Sequence, residues 1–278
     1  MAWAMMIFPQ ISWRIFLIHY VPGPPPWAAH MPPVMICIPP SLDPPLLAAP
    51  EVVEQTQDGQ KFNRGQLLNV GLRLAQGALP GITSFITHDV DLLPSMDMRP
   101  AYAKPPPPGT AVHLASVWPK YTYPGFLGGV LSFRPEDFER ANGYPNNYWG
   151  WGLEDDQLAL RMSKCNIRTI RLREGIGTFI DLDEMNMKGV LDRGQGEEVR
   201  RHLPWYNAQL FQKGALLIDG DWQVNGLGDL DYEVSGEGAL ARALKTSEAR
   251  PIGPVSGCRS PARPGGRVLQ GWGHSYVD

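Results

Sequence analysis

Cysteine is scarce in this chain: Cys37, Cys165 and Cys258 are the only three among 278 residues. Their wide spacing matches no zinc-ligand pattern, and the odd set indicates no disulfide framework. Histidine is nearly as sparse, with six in all and none between His113 and His202. Charge is low as well, since Asp, Glu, Lys and Arg make up 19% and the formal net charge is −3. A balance so near neutral leaves no electrostatic footprint for nucleic acid. Long apolar runs are missing too. Met1 to Val21 comes nearest, but Gln10, Ser12, Arg14 and His19 interrupt it and Pro9 breaks a helix. A spanning helix needs about 20 predominantly apolar residues, so no membrane span is expected within the chain. Ile15–Val21 reads instead as a first core strand. No internal repeat points to a solenoid.

Proline and glycine are what the chain has in plenty, 28 and 30 residues. One concentration, Pro22 to Pro50, carries Pro-Gly-Pro-Pro-Pro, Met-Pro-Pro and Ile-Pro-Pro, which disfavour a regular helix. Another is the rigid loop Lys104 to Gly109. A third is the end of the chain: residues 235–278 hold 17 Gly, Pro and Ser, with six Lys or Arg against three Asp or Glu. That composition predicts an unstructured tail. Hydrophobic residues make up 43%, enough for one sizeable core. The expected organisation is an extension over 1–14, a single domain over 15–234 and the tail over 235–278.

Two blocks carry chemistry. Asn142 to Asp156 reads Asn-Gly-Tyr-Pro-Asn-Asn-Tyr-Trp-Gly-Trp-Gly-Leu-Glu-Asp-Asp. Trp149 and Trp151 offer flat apolar faces for a sugar ring, and Gly150 and Gly152 permit close backbone approach. Glu154, Asp155 and Asp156 precede the apolar positions Leu158, Ala159 and Met162, which puts the acids on the first turn of a helix. Taken singly, tryptophan is core and a helix-start acid is a cap. Their apposition is what a sugar-handling enzyme needs to bind a hydroxyl and deprotonate it. The second block runs from Ile82 to Pro94. A buried strand over Ile82–Thr87 delivers Asp89 and Asp91 at its carboxyl end, where ligands of open α/β sheets collect. Two carboxylates there can hold a hard divalent cation and, through it, a diphosphate. An Asp-x-Asp triplet also occurs simply to solvate a turn.

Around these blocks the periodicity alternates strand and helix. Val52-Val53 ends a strand. After Phe62-Asn63-Arg64, Leu67, Gly71, Leu74 and Leu68, Leu72, Ala75 form helical stripes. Strands are expected at Ala111–Val117 and Leu127–Phe133, and a short helix from Pro135 to Ala141 closes on Asn142-Gly143. This is an α/β chain with a sheet flanked by helices.

Four blocks in order carry a resemblance to the β-1,4-galactosyltransferase family: Glu54 to Gly65, His88 to Pro94, Tyr121 to Gly129 and Asn142 to Asp156. A fifth, weaker one, Asn225 to Val234, is similar to the family's closing strand. The resemblance covers residues 15 to 234, and Trp-Gly-Trp-Gly-x-Glu-Asp-Asp is its most specific part. Tyr121, Tyr123, Phe126 and the histidine before Asp89 look most like the xylosylprotein branch. It implies a GT-A-type, Rossmann-like mixed sheet. It implies an inverting transferase that moves galactose from UDP-galactose to a glycan or glycoside acceptor with Mn²⁺, Mg²⁺ being the alternative. Asp155 is then the base and Glu154 a hydroxyl ligand. Arg64, Asp89, Tyr121, Tyr123, Gly128, Gly129 and Trp151 are expected at donor and acceptor, with a mobile lid around Trp151. The Golgi lumen is the compartment the resemblance implies.

Two departures stand out. The family's Pro-Phe-Arg after the first strand is Val21-Pro22-Gly23 here, without the arginine. The family branch's His-x-His metal pair falls on Asp181 and Asp183, so the expected ligands are Asp91, Asp181 and Asp183, all hard oxygens. These losses keep open a catalytically weakened sugar-binding relative, and the Asp-x-Asp strand end also suits a metal-dependent nucleotidyltransferase or phosphohydrolase.

Overall fold

Side-chain alternation decides how the central strand is built. Along Phe85–Asp89, Phe85 feeds one core cluster and Ile86 the other, because successive side chains leave a strand on opposite faces. Burial on both faces makes this a central strand. The computed structural model describes residues 14–19, 34–38, 51–55, 61–78, 81–119, 125–150, 152–182, 221–235 and 240–243.

In chain order the strands are β1 (Arg14–His19), β2 (Val34–Ile38), β3 (Glu51–Gln55), β4 (Phe85–Asp89), β5 (Leu92–Pro94) and β6 (Thr110–His113). β7 (Val130–Phe133), β8 (Arg168–Arg171), β9 (Phe179–Asp181), β10 (Tyr232–Ser235) and β11 (Leu240–Ala243) follow. The helices are α1 (Arg64–Ala78), α2 (Arg99–Ala103), α3 (Pro135–Arg140), α4 (Glu154–Lys164) and α5 (Asp221–Val224). Nine strands form one sheet in the order β10-β11-β3-β1-β2-β4-β7-β6-β8, and β5 pairs with β9 in a small second sheet. The pairs β1–β3, β3–β11 and β6–β8 are parallel and the other neighbours in the large sheet antiparallel. The sheet is mixed, as expected.

On one face, Leu67, Leu68, Leu72 and Ala75 of α1 are fully buried, and the helix packs on β1, β2, β3 and β11. Asn63, Gln66 and Asn69 are buried as well, because the segment after α3 closes over the outer side of the helix. A Cβ added at Gly65 would lie 2.8 Å from the Pro145 carbonyl. Phe85, Phe133 and Phe138 meet with ring centroids 5.1–5.6 Å apart, in stacked and edge-on arrangements that aromatic quadrupoles favour. The other face holds Ile86, Met98, Tyr102, Leu114, Val130 and Phe179.

Some boundaries differ from those expected, each for a local reason. β4 is shifted towards Asp89 relative to Ile82–Thr87. The strand expected at Ala111–Val117 ends at His113, after which Leu114–Val117 winds into a 3-10 turn. The one expected from Leu127 starts only at Val130, since Gly129 has φ +84° and takes the preceding backbone out of the ladder. In the proline-rich stretch, prolines bracket Val34–Ile38 without interrupting it, and β2 pairs with β1 and β4. Within the segment expected as an unstructured tail, Leu240–Ala243 adds β11 between β3 and β10. The sulfur of Cys165, just past α4, is held in a disulfide. That corrects the expectation of no disulfide framework, because sequence spacing does not report which Cα atoms meet in space.

Candidate active site

The acids sit where a strained turn puts them. Gly150 and Gly152 have φ of +82° and +96°, and Leu153, with a full side chain, has φ +73°. A leucine in the left-handed region costs energy that surrounding structure must offset, and such residues cluster at working sites. The turn opens α4 with Glu154, Asp155 and Asp156 in its first turn, facing the positive end of the helix dipole.

What holds this turn in place is a cluster of neutral amides. Asn146 donates to the Gly226 carbonyl at 2.7 Å and to Asp229 Oδ1 at 2.7 Å, and its own Oδ1 accepts from Asn69 at 2.9 Å. Asn63 Nδ2 donates to the Asn146 carbonyl at 2.6 Å, and the Asn146 amide donates to Asn225 Oδ1 at 2.7 Å. Farther on, the Gly150 amide donates to the Phe62 carbonyl at 2.8 Å. The block from Asn142 to Gly150 is thereby fixed between α1 and the segment after α5.

Arg64, the first residue of α1, faces the acids. Its Nε and Nη2 donate to Asp89 Oδ1 at 3.2 and 2.8 Å, and its Nη1 donates to Glu154 Oε1 at 3.4 Å. Burial alone would lower its pKa, but Asp89, Tyr144, Glu154 and Asp155 more than offset that and hold it well above the ordinary arginine value. Glu154 and Asp155 are both raised above ordinary carboxylates. Burial is the main cause in each, and Arg64 pulls the other way. Glu154 Oε2 is buried with no hydrogen-bond partner among the described residues. Asp155 Oδ1 accepts from the Asp156 amide at 3.0 Å, while Oδ2 rests against Gly128, where an added Cβ would come 2.4 Å from it.

The small sheet sets the backbones of two further acids side by side. Leu92 pairs with Asp181 across β5–β9, and the Leu182 amide donates to the Asp91 carbonyl at 2.7 Å. Asp91 and Asp181 therefore lie on adjacent strand ends. Behind them, His88 is fully buried, with its pKa lowered by desolvation to about 4. Its Nδ1 faces the Asp89 carbonyl at 2.7 Å and its Nε2 faces the Tyr102 hydroxyl at 2.7 Å. A carbonyl only accepts, so Nδ1 carries the proton and Tyr102 donates to Nε2.

Comparison with known proteins completes the picture. A family model described as the N-terminal domain of galactosyltransferase matches residues 109–184. Human β-1,4-galactosyltransferase 4 is 37% identical over 138 residues, which is 50% of this chain and 40% of that protein. The Drosophila melanogaster β-1,4-galactosyltransferase 7 is 41% identical over 116 residues, 41% of this chain and 34% of that protein. Mouse β-1,4-galactosyltransferase 3 is 33% identical over 224 residues, 77% of this chain and 50% of that one. The chain thus spans half or less of the length of these relatives. A solved structure of Drosophila β-1,4-galactosyltransferase 7, a mutant in complex with manganese, UDP-Gal and xylobiose, superposes with a TM-score of 0.51 at 25% identity. It covers 69% of this chain and 77% of that one. The chain belongs to the β-1,4-galactosyltransferase family.

Its sheet is accordingly a GT-A-type mixed sheet. Among the residues expected at the site of this family member, Arg64, Asp89, Gly128, Glu154 and Asp155 form one contact group. Gly129 joins it through its carbonyl, which accepts from the Asp89 amide at 3.0 Å. Asp91 and Asp181 lie on adjacent strand ends of the small sheet, with their backbones joined through Leu182 and Leu92. Tyr121, Tyr123, Trp151 and Asp183 lie outside the described residues, as do Pro22 and Gly23, where the family's arginine is missing. Among the described residues no group of three or more His, Cys, Asp or Glu could hold a metal ion. Nor is any helix there long and apolar enough to cross a membrane. The sequence reading missed Asn63, Asn69, Asn146 and His113; an isolated histidine between Val112 and Leu114 is the only local signal among them.

Proposed function

We propose that this family member is an inverting, metal-dependent galactosyltransferase that moves galactose from UDP-galactose to a sugar acceptor in β-1,4 linkage, a xyloside being the favoured acceptor. One observation carries the reading: a buried carboxylate, Asp155, is held at a raised pKa beside a second acid with an unpartnered oxygen, directly after the tryptophan–glycine turn. Asp155 takes the proton of the acceptor hydroxyl. The hydroxyl oxygen attacks the anomeric carbon as the bond to the diphosphate breaks, and that electron pair leaves with UDP. With one base and no protein nucleophile, the displacement is single and inverts configuration. Glu154 Oε2 is suited to accept a sugar hydroxyl, and Arg64 bridges Glu154 Oε1 to Asp89. The complexes of Drosophila β-1,4-galactosyltransferase 7 with manganese, UDP-Gal and xylobiose favour this donor and acceptor class.

The donor set of Asp91 and Asp181 fits a hard divalent cation, Mn²⁺ or Mg²⁺, with Asp183 the expected third ligand. What such an ion supplies when bound is neutralisation of charge on the diphosphate. By family membership the reaction belongs in the Golgi lumen.

The experiment is a transfer screen with several UDP-sugars, an aryl β-xyloside and Mn²⁺, Mg²⁺ or chelator, on the parent and Asp91→Asn. Galactose transfer that stops with chelator and with Asp91→Asn is the expected result. Binding of UDP-galactose without turnover under any metal would instead favour the sugar-binding relative, and release of UMP or phosphate would favour the phosphohydrolase.

A further inference from the structure

One buried titratable group is unused by this chemistry. His113, at the end of β6, has no exposed surface, and its Nε2 donates to the Gly128 carbonyl at 2.9 Å. Its Nδ1 is buried with no hydrogen-bond partner among the described residues, so the ring makes this one polar contact there. Desolvation, with Arg171 adding to it, lowers its pKa to about 4, and the ring stays neutral with the proton on Nε2.

The contact falls on a segment whose carbonyls are held one after another. Arg171 Nη2 donates to the Phe126 carbonyl at 2.9 Å. His113 takes the Gly128 carbonyl, and the Asp89 amide takes the Gly129 carbonyl at 3.0 Å. The ring of Phe126 meets His113 edge-on at 5.6 Å. Gly128 is also the surface against which Asp155 Oδ2 rests; an added Cβ would come 2.4 Å from that oxygen. The backbone from Phe126 to Gly129 is therefore a rail with Asp89 bonded at one end and Asp155 leaning on its middle. Among the described residues, only His113 donates to the carbonyl at the point on which Asp155 leans.

We infer that His113 is a positioning residue for Asp155, acting through the Gly128 carbonyl to set where that carboxylate stands. The inference deepens the galactosyltransferase reading and rests on it for its kinetic consequence, though not for its structural one. A buried histidine in an apolar strand can also be plain core, and two substitutions separate the roles. His113→Gln places an amide N–H close to where Nε2 stood; His113→Leu keeps volume and loses the donor.

Two readouts decide. In transfer from UDP-galactose to an aryl β-xyloside with Mn²⁺, His113→Leu is expected to lower kcat by roughly 10- to 100-fold, the usual consequence of misplacing a reacting group by about 1 Å. The KM for UDP-galactose should stay at the parent value, and His113→Gln should recover most of the loss. Independent of any reaction, the carboxyl of Asp155, assigned by its absence in Asp155→Asn, is titrated by carbon NMR. Its raised pKa should fall toward the ordinary carboxylate range in His113→Leu, as the group leaves its buried position, and stay raised in His113→Gln. An unchanged Asp155 titration in His113→Leu overturns the inference whether or not the chain transfers galactose. Equal losses in both variants overturn it too, because the ring itself would then be what matters. If His113→Leu does not fold, Arg171→Met, an exposed change that frees the Phe126 carbonyl, must move the Asp155 titration in the same direction by less. No movement there counts against the inference equally.

Discussion

Two buried polar regions meet at Asn142 to Asp156, and they are built on opposite principles. Around Asn146 the side chains are mostly neutral amides with their bonds made: Asn63, Asn69, Asn142 and Asn146 each both donate and accept, and the one carboxylate among them, Asp229, accepts from Asn146 and from the Gly226 amide. Around Arg64 the groups are ionic and in excess. One guanidinium faces Asp89, Glu154 and Asp155, and Glu154 Oε2 is left without a partner. Satisfied amides cost little in the interior and fix a single geometry. Crowded carboxylates cost free energy until a substrate arrives to use them. The first region is built for stability, and the second holds the crowded charge that the proposed transfer would use.

The comparison breaks most visibly under substitution of the acids. Asp155→Asn is expected to lower kcat for transfer by on the order of 10²–10⁴, the usual worth of a general base. Donor affinity by calorimetry should be kept, and the unfolding temperature should be unchanged or higher, because the substitution removes a crowded charge. A large fall in unfolding temperature would place Asp155 with the structural amides instead. Asn146→Ala is the mirror experiment. It leaves the Gly226 carbonyl, Asp229 and Asn69 Nδ2 each short of a bond in the interior, so a loss of about 3–5 kcal/mol in denaturant unfolding is expected. Arg64→Met ranks next. It strands Glu154 and Asp89 without their cation, but Asp89 is partly open to water, so about 2 kcal/mol is expected, less than for a fully buried pair. Titration should show Glu154 pushed further up.

How legible each region was in the sequence follows from its physics. The acids on the first turn of α4 could be read because helix periodicity is local, and β4 could be read because Ile82 to Thr87 is a short run rich in β-branched and aromatic residues. Glycine at 128 was visible as half of a Gly-Gly pair, but not its reason, which is the carboxylate of Asp155. Arg64 and Glu154 meet across 90 residues of sequence, and Asn63 meets Asn146 across 83. Nothing in a local pattern reports such a pairing, since an asparagine reads as a turn or a cap until a tertiary partner is known. β2 was hidden by the surrounding prolines, which argue against a helix but flank the strand and do not enter it.

The smallest effect expected is on the pH dependence of stability, and it sets the two kinds of buried ionisable group against each other. Glu154 has a raised pKa in the folded chain, so between the ordinary carboxylate value and its own the folded state binds more protons than the unfolded one. Its contribution is present at low pH and lost as pH rises through the folded value. His88 and His113 act in the opposite sense. With folded values lowered to about 4 from 6.5, their contribution is present above 6.5 and lost as pH falls toward 4. From about pH 4 to 6.5 the two partly cancel. Glu154→Gln removes one side of that balance. Its unfolding free energy should exceed the parent's at pH 8 by on the order of 1 kcal/mol and fall more steeply on acidification. His113→Gln should show the reverse, a shallower loss toward pH 4. Parallel stability curves for parent and Glu154→Gln from pH 4 to 8 would mean that Glu154 titrates alike in the folded and unfolded chain, and that the acid cluster is no more strained than the amides beside it.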